Sequence, residues 1–131
     1  MKFDFIDEII EMTDGQILAQ KRIDPEDEYL KDHFPAFPIM PGVLMLETMV
    51  QAALKLVAKN GEEFVLGSVK AVKYGAMVMP GDTLQVEVKL TRVTNEGFAN
   101  CRGKGIVIRN NNKDKHTAVS GRFTLRPAQL T

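Results

Sequence analysis

One short stretch of the chain holds two side chains suited to moving protons. His33 is one of only two histidines, and Glu47 lies a little further on among Leu44, Met45, Leu46, Met49 and Val50. An imidazole changes charge near neutral pH, so it can take up or release a proton there. A carboxyl surrounded by apolar side chains keeps its proton longer than a solvated one and can serve as an acid. Phe34 and prolines at 35, 38 and 41 stand between them. Proline fixes φ and removes a donor, so this segment is a stiff loop and neither helix nor central strand.

The elements that must hold these residues follow from periodicity. Pro41-Gly42 opens an apolar helix running roughly from Pro41 to Lys59, with Asn60-Gly61 as its stop. Proline is favourable at the first helical turn, where its missing N–H would be unpaired. Val43, Leu44, Leu46, Val50, Ala53, Leu54 and Val57 cover more than one face, which predicts a helix wrapped by sheet. Its polar residues Glu47, Gln51 and Lys55 fall at i, i+4 and i+8 and form one stripe, in which Gln51 can orient Glu47.

The rest reads as β. A first hairpin turns at Thr13-Asp14-Gly15 into a strand over Gln16–Ile23, and Asp24-Pro25 opens an acidic bend that can cap a helical turn. Glu63–Met79 reads as one long strand bent at Gly67 and Gly75. Thr83–Val93 alternates strictly, with Leu84, Val86, Val88 and Leu90 on one side. Phe98–Arg109 returns after Asn95-Glu96-Gly97, and Thr117–Leu125 follows a polar tip at 110–115. One long buried helix with an antiparallel sheet of five to six strands and no βαβ alternation is an α+β fold, expected as a single domain over residues 1–131. Such a sheet has edges, and pairing an edge strand with a second copy is one way to protect it.

Composition narrows the function classes. Seventeen basic and seventeen acidic residues give zero net charge, so no nucleic-acid or membrane-surface role is indicated. The run from Val43 to Val57 is too short and too polar to cross a membrane. Acids near the start argue against a signal peptide, and the single Cys101 has no internal disulfide partner, so a cytoplasmic protein is expected. Cys101 reads as a strand residue and His116 as exposed; no ligand spacing supports a metal, and no cofactor is called for.

The string His33-Phe34-Pro35-x-x-Pro38-Ile39-Met40-Pro41-Gly42-Val43-Leu44-x-x-Glu47-x-x-x-Gln51 resembles the signature of the 3-hydroxyacyl-[acyl-carrier-protein] dehydratases of bacterial fatty acid synthesis. A second block, Lys73-Tyr74-x-x-x-Val78-x-Pro80-Gly81-Asp82-x-Leu84, resembles that family's downstream strand and turn. The resemblance implies a hotdog fold and a homodimer, often assembled further into a trimer of dimers. It implies active-site tunnels at the dimer interface, with His33 of one subunit facing Glu47 of the other. Glutamate rather than aspartate at the helix position points to the branch that dehydrates without isomerising. The departures are Asp32 where the family usually has glycine and Thr48 where it has a smaller residue.

For a 3-hydroxyacyl thioester the chemistry is loss of a C2 proton and of the C3 hydroxyl as water. His33 is expected as base and Glu47 as acid. The backbone N–H groups of Gly42 and Val43, at a helix N-terminus, suit the developing enolate oxygen. Phe34 and Gln51 complete the expected substrate-binding set. The partner would be an acyl carrier protein, which is acidic, and Lys70, Lys73, Arg92, Arg102, Lys104 and Arg109 are the basic candidates to dock it. Two rivals remain at this stage: a hotdog thioesterase that attacks the same thioester with water, and a non-catalytic acyl-binding hotdog subunit.

Overall fold

The computed structural model describes residues 5–24, 40–58 and 62–128. In chain order they form β1 (Glu8–Met12), β2 (Gln16–Arg22), α1 (Gly42–Val57), β3 (Phe64–Tyr74), β4 (Thr83–Val93), β5 (Ala99–Ile108) and β6 (Lys115–Pro127). The six strands make one sheet in the order β1-β2-β4-β5-β6-β3, and every neighbouring pair is antiparallel. The helix lies across one face. The α+β reading, the strand count and the bounds of β4 stand as expected. His33, Phe34, the acidic bend after Asp24 and the helix stop at Asn60-Gly61 lie outside the described residues.

Alternation explains which face the helix covers. Leu84, Val86 and Val88 of β4 are fully buried, as are Ile17 and Ala19 of β2, Val107 of β5 and Leu125 of β6. They meet Met45, Met49, Ala52, Ala53 and Leu56 of α1 in one core. Close approach is obtained by omitting side chains. A Cβ on Gly103 would lie 2.7 Å from the Met49 sulfur, and one on Gly105 would lie 2.6 Å from Val119 Cγ1. These inward positions of β5 have room for a backbone and nothing more.

The helix departs from expectation in one respect. It is buried along the sheet side and not wrapped all round: Leu44, Leu46, Leu54 and Val57 are only partly covered, and Val43 is 64% exposed. The described sheet lies on one side of it, so the apolar positions turned away from the sheet are only partly covered.

The strand expected over Glu63–Met79 stops at Tyr74. Its first irregularity falls at Gly67, as the sequence suggests, but its second falls between Lys70 and Lys73, where Ala71 has φ 55, and not at Gly75. Gly75 instead leaves the strand, and its N–H donates to the Ala118 carbonyl at 2.8 Å.

One buried carboxylate fastens the turn after β3. Asp82, 5% exposed, accepts from the Met79 N–H at 3.0 Å, the Asn110 N–H at 3.2 Å and the Arg109 guanidinium at 2.8 Å. Its own backbone carbonyl accepts from the Ile23 N–H at 2.9 Å. Three separate connections therefore meet at one charge-assisted cluster.

Gly105→Ala is expected to destabilise the chain by about 1–3 kcal/mol, because its Cβ would overpack a filled core. Gly15→Ala, where nothing lies within 4 Å of an added Cβ, should be close to neutral. Urea midpoints of the two variants test the difference.

Candidate active site

The start of α1 is held from two directions by the segment after β3. The Met40 N–H donates to the Val78 carbonyl at 2.8 Å, which fixes the chain just before the helix opens. The Tyr74 ring lies against Gly42: a Cβ there would come within 2.9 Å of the ring's Cε1 and 3.1 Å of its Cζ. A side chain at position 42 would thus have to displace the half-exposed Tyr74 ring. Sequence reading quotes Tyr74 in a motif but gives it no task. The available signal was its place in the second block together with its return to the inner face of β3.

Pro41 caps the helix in extended conformation without a side-chain cap. Its carbonyl receives the N–H groups of Leu44 at 3.0 Å and Met45 at 3.3 Å. Among the described residues no acceptor reaches the N–H of Gly42 or of Val43. The first amides of a helix are left over by its own geometry and carry the positive end of its dipole. Two donors are therefore aimed out of the helix beside Tyr74.

Val43 and Glu47 are one turn apart on the same stripe. Glu47 is half-buried, and desolvation holds its carboxyl above the ordinary glutamate pKa. No hydrogen-bond donor or cation pairs with it among the described residues. A carboxyl in that condition favours its protonated form and can donate the proton.

Gln51 does not orient Glu47. Its Oε1 accepts the backbone N–H of Phe5 at 2.8 Å and so binds the entering chain to the helix. Thr48, at the position where the resemblance leads one to expect a smaller residue, is fully buried and donates its hydroxyl to the Leu44 carbonyl at 2.8 Å. That back-bond lets a polar side chain occupy the core side of the helix. Arg109, expected as a docking residue, is spent on Asp82 and on the Met77 carbonyl at 2.7 Å.

His116 is exposed at the start of β6. Cys101 is buried on β5, and burial pushes its thiol up to about 11, so it is a poor nucleophile near neutral pH. Among the described residues no three His, Cys, Asp or Glu side chains come together to hold a metal ion, and no helix is long and apolar enough to cross a membrane.

One helix on a six-stranded antiparallel sheet, with unpaired amides and a desolvated carboxyl at the start of that helix, defines a hotdog protein. Solved structures agree on the fold. The dehydratase heterocomplex ApeI:P from Xenorhabdus doucetiae superposes with a TM-score of 0.68 at 21% identity, covering 92% of this chain and 96% of that one. A Streptococcus mutans protein bound to acetyl CoA superposes with a TM-score of 0.71 at 13% identity, covering 99% and 94%.

The profile of the FabA-like domain matches residues 1–113. The 3-hydroxyacyl-[acyl-carrier-protein] dehydratase FabZ of Oenococcus oeni is 40% identical over 93 residues, 67% of this chain and 67% of its own length. FabZ of Clostridium acetobutylicum is 36% identical over 113 residues, 82% and 78%. The chain belongs to the family of 3-hydroxyacyl-[acyl-carrier-protein] dehydratases.

The raised pKa of Glu47 has a consequence for stability. The folded chain keeps this proton in a pH range where the unfolded chain has lost it. That contribution is full below the ordinary glutamate pKa and is lost as pH rises through the folded value. Glu47→Gln cannot ionise, so it should match wild type near about pH 4 and be the more stable protein near about pH 8. Urea midpoints across that range test the sign.

Proposed function

We propose that this chain dehydrates 3-hydroxyacyl thioesters of acyl carrier protein to trans-2-enoyl thioesters in fatty acid biosynthesis, as a single cytoplasmic domain spanning residues 1–131. Its family membership supports the reaction. The observation that carries the assignment of roles is the start of α1, where a partly desolvated carboxyl, without a partner among the described residues, stands about one turn from two amides that are unpaired among them.

The substrate's C2 proton is weakly acidic and its C3 hydroxyl is a poor leaving group. His33 takes the C2 proton. The Gly42 amide, supported by that of Val43, donates to the thioester oxygen as negative charge gathers there. The C3–O bond then breaks while Glu47 supplies a proton, so that water departs and not hydroxide. The electron pair of the broken C2–H bond becomes the new C2–C3 π bond, and the reaction is redox-neutral. Burial helps Glu47 hold its proton near neutral pH. In this proposal Val43 and Phe34 contribute to binding the substrate.

The working unit in this proposal is a homodimer. β3 is an edge strand that leaves Leu66 40%, Val69 38% and Tyr74 52% exposed, and Tyr74 lies against Gly42, next to the exposed Val43. A second copy paired along β3 covers these residues and the uncovered side of α1, and supplies its His33 across the interface. Three such dimers can assemble further.

The test is a mass-spectrometric assay with a 3-hydroxyacyl–carrier-protein thioester. Wild type should remove one water. His33→Ala and Glu47→Gln should each be slowed by at least about 100-fold, the usual worth of a positioned acid or base. Release of free acid would instead mark a thioesterase, and no reaction across short and long chains would mark a binding subunit.

A further inference from the structure

The connection from β3 to β4 passes the beginning of α1 and is fastened at both of its ends by backbone bonds. On leaving β3, the Gly75 and Ala76 N–H groups donate to the carbonyls of Ala118 and Thr117 at 2.8 and 2.9 Å. Just before β4, the Gly81 N–H donates to the Ile23 carbonyl at 2.7 Å, and the Asp82 carbonyl accepts the Ile23 N–H at 2.9 Å. Between these ends lie Met77, Val78 and Met79, which belong to no strand.

Two side chains hold this middle stretch. Arg109 Nη1 donates to the Met77 carbonyl at 2.7 Å and to Asp82 Oδ2 at 2.8 Å. The same Asp82 oxygen accepts the Met79 N–H at 3.0 Å. The pair therefore grips the backbone on both sides of Val78, by a carbonyl on one side and an amide on the other. Val78 is fully buried, and its carbonyl accepts the Met40 N–H at 2.8 Å. Met40 stands two residues before Gly42. A continuous series of short bonds thus runs from Arg109 on the far side of β5 to the amide assigned to the thioester oxygen.

We propose that Arg109 and Asp82 are positioning residues for the dehydration. They fix Val78, and through its bond to Met40 they fix where the Gly42 amide points. The proposal rests on the reading of that amide as the donor to the thioester oxygen. Reversal of the chain does not need the ion pair, because the Asp82 N–H already closes the turn on the Met79 carbonyl at 3.0 Å. A buried ion pair is often no more stabilising than apolar side chains in its place, so its contribution here is one fixed geometry. Geometry is what an oxyanion donor requires, and a misplacement of about 1 Å can cost about 100-fold in rate.

The experiment compares Arg109→Met with wild type and with Ile17→Ala, a truncation of a fully buried residue on β2 that controls for lost stability. Each protein is assayed at a temperature where circular dichroism shows it folded. One readout is steady-state dehydration of a 3-hydroxyacyl–carrier-protein thioester. The other is the infrared difference spectrum of a bound saturated acyl pantetheine thioester labelled with ¹³C at C1, which has no hydroxyl to lose. Wild type should move the carbonyl stretch of the bound thioester to lower wavenumber, because the amide donates to that oxygen. Arg109→Met should lose most of this shift and lower kcat by about 10- to 100-fold, with KM changed by less than about threefold. Ile17→Ala should keep the shift and kcat while melting at a lower temperature. Arg109→Met leaves the Asp82 carboxylate without its cation; if that variant does not fold, Asp82→Asn/Arg109→Met removes the charge as well and should show the same losses. An undiminished shift and kcat without Arg109, or equal losses in Ile17→Ala, would overturn the positioning role. A wild type that dehydrates without shifting the carbonyl would overturn the assigned donor and the proposal with it. Failure of wild type to dehydrate would overturn the dehydratase reading separately.

Discussion

The structure depends on how closely one helix can lie on one sheet. Under Met49 the sheet presents Gly103, and beside it Gly105 is flanked by Val119 and Leu84. Dispersion and burial both reward that contact, and both fall quickly with separation. The same closeness fixes where α1 begins. Met40 is tied to Val78 and Gly42 lies under Tyr74, so the first turn has no freedom to slide along the strands.

Fixing the first turn is what gives the site its chemical character. Among the described residues the amides of Gly42 and Val43 stay unpaired, because no helical carbonyl precedes them and no side chain caps the end. Glu47 is half-buried, so its carboxyl loses part of its water and keeps an open side. For the role of acid proposed for Glu47, a fully buried carboxyl would be hard to ionise again and a solvated one would release its proton too readily. Asp82 illustrates the opposite environment. It is more deeply buried, yet Arg109 and two backbone N–H groups satisfy it and commit it to holding the turn.

Much of this was legible in the residues. Strict alternation set β4 to its ends, because a strand with one apolar face has only one register that buries it. The apolar run after Pro41-Gly42 announced α1, and Glu47 stood out as a carboxyl within it. Other features depended on contacts distant in sequence. Gln51 seemed placed to steer Glu47, yet the Phe5 amide is its partner. Arg109 read as a surface cation until Asp82 was folded beside it. The extent of helix burial was overstated, since an apolar pattern records what a helix can cover and not whether one sheet or a second molecule covers it.

The two irregularities of β3 act as parity switches. Phe64 and Leu66 pair with inward residues of β6, as a strand in uninterrupted alternation would continue to do at 68, 70, 72 and 74. The extra residue at Gly67 reverses that phase, so Ser68 and Lys70 are turned outward opposite Thr124 and Arg122. The second, at Ala71–Val72, reverses it again and returns Tyr74 to the inner face with Lys73 outside. One strand thereby delivers cations to one surface and an aromatic ring to the other. Each extra residue changes which sequence parity faces the core, so odd-numbered Val69, opposite Phe123, and even-numbered Tyr74, opposite Val119, both point inward along one strand.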